Sequence, residues 1–343
     1  MSLIQNTAAW LPGVGKKLEL GPSEIPVPGE NELLIEVKAV AVQPGEYKVQ
    51  EGILPVRLTY PTILGPCFSG IVAKVGSAVT RFKVGDRILT NSAGSLRNDP
   101  RFGAYQRYAL TTQELTSKIG NLPFEDASSV PSIYGGASVL FHHFGLEKPS
   151  GDGDSSKKEE KVLIWGASSS FGAYAAQLAA EAGYTVVGVA SARNEELVRS
   201  FGAAHFIDRH SSNAEEELIA LGPFKAVLAA ADAAPDQEVI GAVLAAQGGG
   251  SFLVTMGLRQ GATLPPGVEA KFESILDVFL DPKNKEFTEW LWWDYLENAL
   301  QSGKLKIMPV RVIGGLSKVQ EAWDNLREGK ISGERQVIVP ELA

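Results

Sequence analysis

One cysteine and four histidines stand among 343 residues. A single thiol, Cys67, cannot close an intrachain disulfide, so nothing asks for an oxidising compartment and the side chain reads as simply buried. The same scarcity excludes a structural zinc site built from four cysteines. Adjacent His142 and His143 point about 100° apart on a helix and cannot chelate one ion together. No stretch approaches the roughly 18–20 apolar residues of a membrane span, and MSLIQNTAAW lacks the basic and apolar segments of a signal peptide, so the cytosol is the expected compartment. Basic residues are also in deficit, 32 Lys and Arg against 40 Asp and Glu for a net charge of −8. They are scattered, which argues against a surface that tracks nucleic-acid phosphates.

What is present is 44% hydrophobic residues with 36 Gly and 19 Pro, the balance of a globular chain of about two domains with many turns. Between Gly29 and Leu115, short apolar runs at 33–42, 69–77, 87–93 and 104–112 are separated by Gly, Pro and Asp, which predicts a compact β domain. A polar stretch at 149–160 reads as a solvated loop. After it, KVLIWG, YTVVGVAS, AVLAAA and FLVTMG alternate with helix-like segments. Continuous apolar strands of that kind imply a parallel sheet covered on both faces, an α/β doubly wound domain over about 126–285. An aromatic helix is expected at 286–303, with Phe287, Leu291 and Tyr295 as its core stripe and Trp293 off it, free to cap a cleft or a subunit contact. A second helix at 317–329 and a closing strand should pack back on the first domain. No internal repeat was found.

The chemistry is carried by Lys161–Gly183, which reads strand, tight Gly/Ser turn, helix. Gly166 permits the turn, small residues let a pyrophosphate approach, and Gly172 allows close packing of the helix on the sheet. The spacing departs from G-x-G-x-x-G, because Ser168 replaces the middle glycine and the last falls one residue late, so a plain βα turn is the alternative. The next strand ends in Ser191-Ala192-Arg193 without an acid. A guanidinium beside a hydroxyl suits the 2′-phosphate of NADPH, where an acid would repel it; the alternative is that Arg193 is a solvated residue at a helix start.

With these motifs in place, the chain resembles a zinc-independent medium-chain dehydrogenase/reductase of the quinone-oxidoreductase and enoyl-reductase branch. The segments NELLIEVKAVAVQPGEYKVQEG, YPTILGPCFSGIVAKVGSAVTRFKVGDRI, GAYQRYAL and GLSKVQEAWDNLREGKISGERQVIV carry the likeness over about residues 8–340. It is most similar to fungal trans-acting enoyl reductases that serve polyketide synthases and to oxidoreductases labelled zinc-binding. The resemblance implies a GroES-like, β-rich catalytic domain from 1–125 and 286–343, a Rossmann nucleotide-binding domain at 126–285, and an active site in the cleft. It implies cofactor contacts from Pro44, Gly166, Ser168, Ser169, Ser170, Phe171, Ser191, Arg193, Arg209, Met256, Gly257, Leu280, Ser332 and Arg335. Arg209 stands where relatives often have Tyr, which would add a second cation at the adenosine end.

Tyr47, Lys48 and Ser138 are the candidate catalytic side chains, with a solvated Lys48 and a packing Tyr47 as the alternative. In the segment VPSIYGGAS, with Ser132 and Tyr134, Gly136 replaces the Thr usual in relatives, which would widen the pocket. Metal-dependent relatives have ligands where this chain has Pro44 and Gly65-Pro66-Cys67, so no metal is expected. Ketone reduction makes a strongly basic alkoxide that needs a Lewis acid or proton donor, whereas hydride addition to a conjugated C=C makes a delocalised enolate. The leading expectation is therefore NADPH-dependent reduction of enones, enals, enoyl thioesters or quinones. A zinc-independent alcohol or aldehyde dehydrogenase, and a nucleotide-binding sensor or scaffold without turnover, remain the alternatives. Expected partners are a small-molecule substrate and a polyketide synthase or carrier protein, with the chain a monomer or homodimer.

Overall fold

Among the described residues, seven strands precede residue 120: β1 (Asn6–Trp10), β2 (Glu19–Ser23), β3 (Glu32–Ala41), β4 (Cys67–Val75), β5 (Arg87–Asn91), β6 (Tyr108–Thr112) and β7 (Thr116–Lys118). Six more follow the polar stretch: β8 (Lys161–Trp165), β9 (Thr185–Ala190), β10 (Ala203–Asp208), β11 (Phe224–Ala229), β12 (Gly250–Val254) and β13 (Val268–Phe272). The last two are β14 (Val310–Gly314) and β15 (Arg335–Ile338). The computed structural model describes residues 6–54, 56–150 and 159–342. Most of the polar stretch at 149–160 thus lies outside the described residues. The chain divides into two compact units, Met1–Pro131 with Pro282–Ala343, and Ser132–Asp281.

In the first unit, a seven-stranded sheet runs β14-β15-β3-β4-β5-β7, with β6 also paired to β3, while β1 and β2 form a separate ribbon. β3 is the long central strand, antiparallel to β4, β6 and β15. Its register against β4 shifts between Val37 and Ala39. Close approach there admits only glycine at position 70, where a Cβ would lie 2.2 Å from the Glu36 carbonyl oxygen. Leu11, Ile35, Val37, Phe68, Val72, Ile88 and Tyr105 fill the interior, closed by Trp323 from the helix Val319–Arg327.

The aromatic segment also belongs to this unit. It forms a helix at Lys285–Glu289, a π-helical turn at Trp290–Tyr295 and a further helix at Leu296–Gln301. The wide turn shifts the buried face, so Leu291, Trp292, Tyr295 and Leu296 point inward while Phe287 is only half-buried. Trp293 donates from Nε1 to the Gln113 carbonyl at 3.1 Å and carries the Arg81 guanidinium 4.5 Å above its ring.

The second unit holds a fully parallel sheet in the order β10-β9-β8-β11-β12-β13. Leu163, Val187, Val227 and Phe252 sit in its core. The strand order reverses between β8 and β11, and in such sheets ligands bind outside the carboxyl ends of the strands at that point. The edge strands β10 and β13 carry exposed His205, Glu269 and Lys271, polar residues of the kind that protect an edge from further pairing. Among the described residues no helix is long and apolar enough to cross a membrane.

Candidate active site

The turn after β8 is built as its small residues require. Gly166 has φ +78, and a Cβ there would lie 2.6 Å from the Ala231 nitrogen. At Gly172 a Cβ would meet the Gly166 carbonyl oxygen at 2.4 Å, so the helix Ser170–Glu181 reaches the turn only because this position is bare. Ser169 caps that helix by accepting the Gly172 N–H at 3.1 Å. A capped helix start of this length directs N–H groups and partial positive charge outward, the arrangement that binds phosphate. Ser168 accepts from Asn194 Nδ2 at 3.1 Å, which ties the turn to the residues that follow β9. Phe171 lies over Gly135, where a Cβ would be 2.5 Å from its ring. Gly136 has the same reason: Ala175 Cα occupies the space at 2.8 Å, so the bare position serves helix packing rather than opening the pocket that the sequence suggested.

The parallel sheet brings β10 beside the end of β9, with Asp208 opposite Ala190. Arg193 is exposed and, among the described residues, has no ion pair. Arg209 is engaged, donating to Asp236 Oδ2 at 2.6 Å. Sequence reasoning missed two neighbours. Asp208 Oδ1 accepts the N–H groups of Ala192 at 3.1 Å and His210 at 3.2 Å. The His210 Nε2 atom lies 3.5 Å from Ser191 Oγ. A carboxylate thus stands beside the strand end read as acid-free, partly compensated by two backbone donors.

After β12, Met256 and Gly257 are half-buried, and the Gly257 carbonyl accepts from Gln237 Nε2 at 3.0 Å. The same amide group donates to Asp232 Oδ2 at 2.6 Å, and Asp232 receives two bonds from Arg259 at 3.2 and 2.9 Å. The clamp reaches from Asp232 to Arg259, 27 positions along the chain, so no local pattern revealed it. Ser138 is fully buried at the start of the π-helical turn Ser138–His143, and its hydroxyl has no partner among the described residues. Leu280 is 37% exposed at the end of the helix Asp277–Leu280.

In the first unit, Pro44 opens the helix Pro44–Gln50, which carries Tyr47 and Lys48, both half-buried. Tyr47 packs against the β-domain core and Lys48 Nζ lies 6.0 Å from its ring centroid. Between them and Pro44 sits Glu46, which is buried, a residue the sequence reading passed over although Pro at the first helical position and Glu at the third mark a helix start. Burial pushes its carboxyl up to about 7, against hydrogen bonds from Tyr105, Gln43 and Trp323 and the charge of Arg335. Arg335 is itself 6% exposed on β15, inside the unit, while Ser332 is exposed. Cys67 is buried, and desolvation pushes its thiol up to about 12. Among the described residues no three His, Cys, Asp or Glu gather in a group that could hold a metal ion.

Residues 29–121 match the alcohol dehydrogenase GroES-like domain. Over 347 residues, the chain is 34% identical to the trans-enoyl reductase himH of Aspergillus japonicus, with 98% of each chain covered. It also shares 30% identity with the trans-enoyl reductase tndF of Aspergillus flavipes, covering 97% of this chain and 99% of the relative. Among solved structures, the quinone oxidoreductase of Pseudomonas syringae pv. Tomato shares the fold with a TM-score of 0.74 at 20% identity, over 98% of this chain and all of that one. A GroES-like unit joined to a parallel-sheet unit, with full-length relatives on this scale, shows that the chain belongs to the medium-chain dehydrogenase/reductase superfamily and is an oxidoreductase.

Proposed function

We propose that the protein is an NADPH-dependent reductase that delivers hydride to a conjugated C=C or a quinone. The observation that carries the cofactor assignment is the cluster at the ends of β8 and β9: a capped helix start beside Gly166–Phe171, and Arg193, without an ion partner among the described residues, next to Ser191. The first suits a pyrophosphate and the second a 2′-phosphate. Bound there, the reduced nicotinamide supplies hydride.

The choice of acceptor rests on the donor set. The positions where metal-dependent relatives have ligands hold two prolines, which offer no side-chain donor, and one buried thiol, so a single ligand stands where a catalytic zinc needs three. Without a Lewis acid, an enolate or hydroquinone is the product that hydrogen bonds can stabilise. Tyr47 and Lys48 are the donors we assign to the substrate oxygen. The relatives' name, trans-enoyl reductase, agrees with an enoyl substrate.

The test is to follow cofactor oxidation with a panel of enones, enals, enoyl thioesters and quinones, and cofactor reduction with alcohols, with and without chelator. Pantetheine thioesters beside free acids and simple thioesters read whether the substrate arrives on a carrier. Turnover of alcohols alone, or activity lost to chelator and restored by zinc, would overturn the proposal.

A further inference from the structure

The Glu46 carboxylate touches three separate parts of the first unit with one oxygen. Its Oε2 accepts the Tyr105 hydroxyl at 2.6 Å, the Gln43 N–H at 2.8 Å and the Trp323 indole N–H at 3.2 Å. Tyr105 stands ahead of β6, Trp323 on the helix Val319–Arg327, and Gln43 immediately before the helix that carries Tyr47 and Lys48. Both aromatic partners are fully buried and meet edge to face, with ring centroids 5.9 Å apart. The other oxygen, Oε1, is buried and has no hydrogen-bond partner among the described residues.

A packing role alone would be filled more cheaply by an apolar side chain, since a buried carboxyl with an unmatched oxygen carries a desolvation penalty. We propose that Glu46 is the positioning residue of the Gln43–Lys48 turn, fixing Tyr47 and Lys48 through its bonds to Tyr105, Trp323 and Gln43 without touching substrate or cofactor. The inference rests on the assignment of Tyr47 and Lys48 made above.

The ionisable groups that bear on Glu46 are Tyr105, Cys67 and Arg335. Burial drives the Tyr105 phenol and the Cys67 thiol away from ionisation, and Arg335 opposes the rise of Glu46. Glu46 is therefore the member of this group whose charge changes near neutral pH. Protonation places a hydrogen on the oxygen that lacks a donor and leaves the accepting oxygen in place, so the turn is held in both states but under different charge.

The experiment compares wild type, Glu46→Ala and Glu46→Gln in the full-length protein. Two readouts are used: kcat and KM against pH with a conjugated alkene, and the acylation rate of Lys48 measured by peptide mass. Glu46→Ala should lower kcat by about tenfold or more while NADPH affinity stays within about twofold. It should also shift Lys48 acylation by about threefold or more. Glu46→Gln, which keeps the accepting oxygen, should restore both near pH 7 and remove the inflection that wild type shows there. Folded Glu46→Ala with wild-type Lys48 acylation, or an inflection that survives in Glu46→Gln, overturns the inference. Wild type without turnover on any alkene overturns the proposed function instead, and the acylation readout still decides the role of Glu46. Should Glu46→Ala fail to fold, Tyr105→Phe takes its place with the same readouts.

Discussion

Cofactor choice tests the reading of the β9 end, because two opposite charges meet there. Arg193 is exposed and without an ion partner among the described residues, while Asp208 holds a carboxylate against the Ala192 N–H at 3.1 Å. A hydrogen bond to a charged group contributes about 1.5–3 kcal/mol, and solvent exposure places Arg193 at the low end of that range. Arg193→Ala should therefore weaken NADPH about tenfold and NADH by less than about twofold. Asp208→Asn removes a like charge, worth about 1 kcal/mol at ~4 Å in bulk water and more where water is excluded. NADPH should tighten about fivefold in that variant, and NADH should gain nothing. Both effects should shrink as salt is raised toward ~1 M, where the screening length falls to about 3 Å. Titration of wild type and both variants with each cofactor, by calorimetry or quenching of tryptophan fluorescence at two salt concentrations, gives the affinities required. Equal affinity of wild type for the two cofactors, or equal losses in Arg193→Ala, would refute phosphate recognition at this strand end. Tighter NADH than NADPH, relieved by Asp208→Asn, would show that the carboxylate prevails.

Lys48→Ala should lower kcat/KM by about tenfold or more, about 1.4 kcal/mol of transition-state stabilisation, and an unchanged value would make Lys48 a surface residue of the turn. Gly172→Ala drives a Cβ to within 2.4 Å of the Gly166 carbonyl; it should destabilise the second unit by about 1–3 kcal/mol and abolish tight cofactor binding, both measurable by melting with and without NADPH. For stability against pH, Glu46 has a folded-state value raised from 4.5 to about 7, so its contribution is complete below about 4.5 and is lost as pH rises through about 7. The loss is on the order of 3 kcal/mol, and Glu46→Gln should flatten that part of the melting-temperature profile, whereas an identical slope in the variant would contradict a raised carboxyl.

Strands buried on both faces announce themselves in sequence, and the rest of the sheet does not. β8, β9, β11 and β12 are continuous apolar runs because neighbours and helices cover them. The edge strands β10 and β13 have solvent on one side, and AAHFID and VEAKF carry polar residues that no apolar count selects. β1 and β2 form a two-stranded ribbon, with β1 tied to the chain ahead of β6 by a bridge from Ala8 to Gln106, and they are equally silent. The aromatic segment read as one uniform helix because periodicity assumes 3.6 residues per turn. The π turn at Trp290–Tyr295 breaks that assumption without any glycine or proline to signal it.

The candidate site shows the same division between local and distant information. Gly166, Ser169 and Gly172 are legible because strand, turn and helix follow one another within a single βα unit. The absence of an acid at Ser191–Arg193 is a true statement about β9, but the chemistry of that spot also depends on β10. Parallel pairing sets Asp208 opposite Ala190, and the carboxylate then accepts from Ala192 N–H, 16 positions back along the chain. A cofactor fingerprint read from one strand end therefore omits the adjacent strand, whose carboxylate bonds to the backbone of that same end. Glu46 was hidden for a related reason. Its burial depends on Tyr105 and Trp323, which lie far along the chain in separate elements. A glutamate after a proline and a glycine looks solvated until both aromatic donors close over it. In each case the deciding interaction joins elements that only the folded sheet makes neighbours, so substitution of the distant partner is the informative experiment.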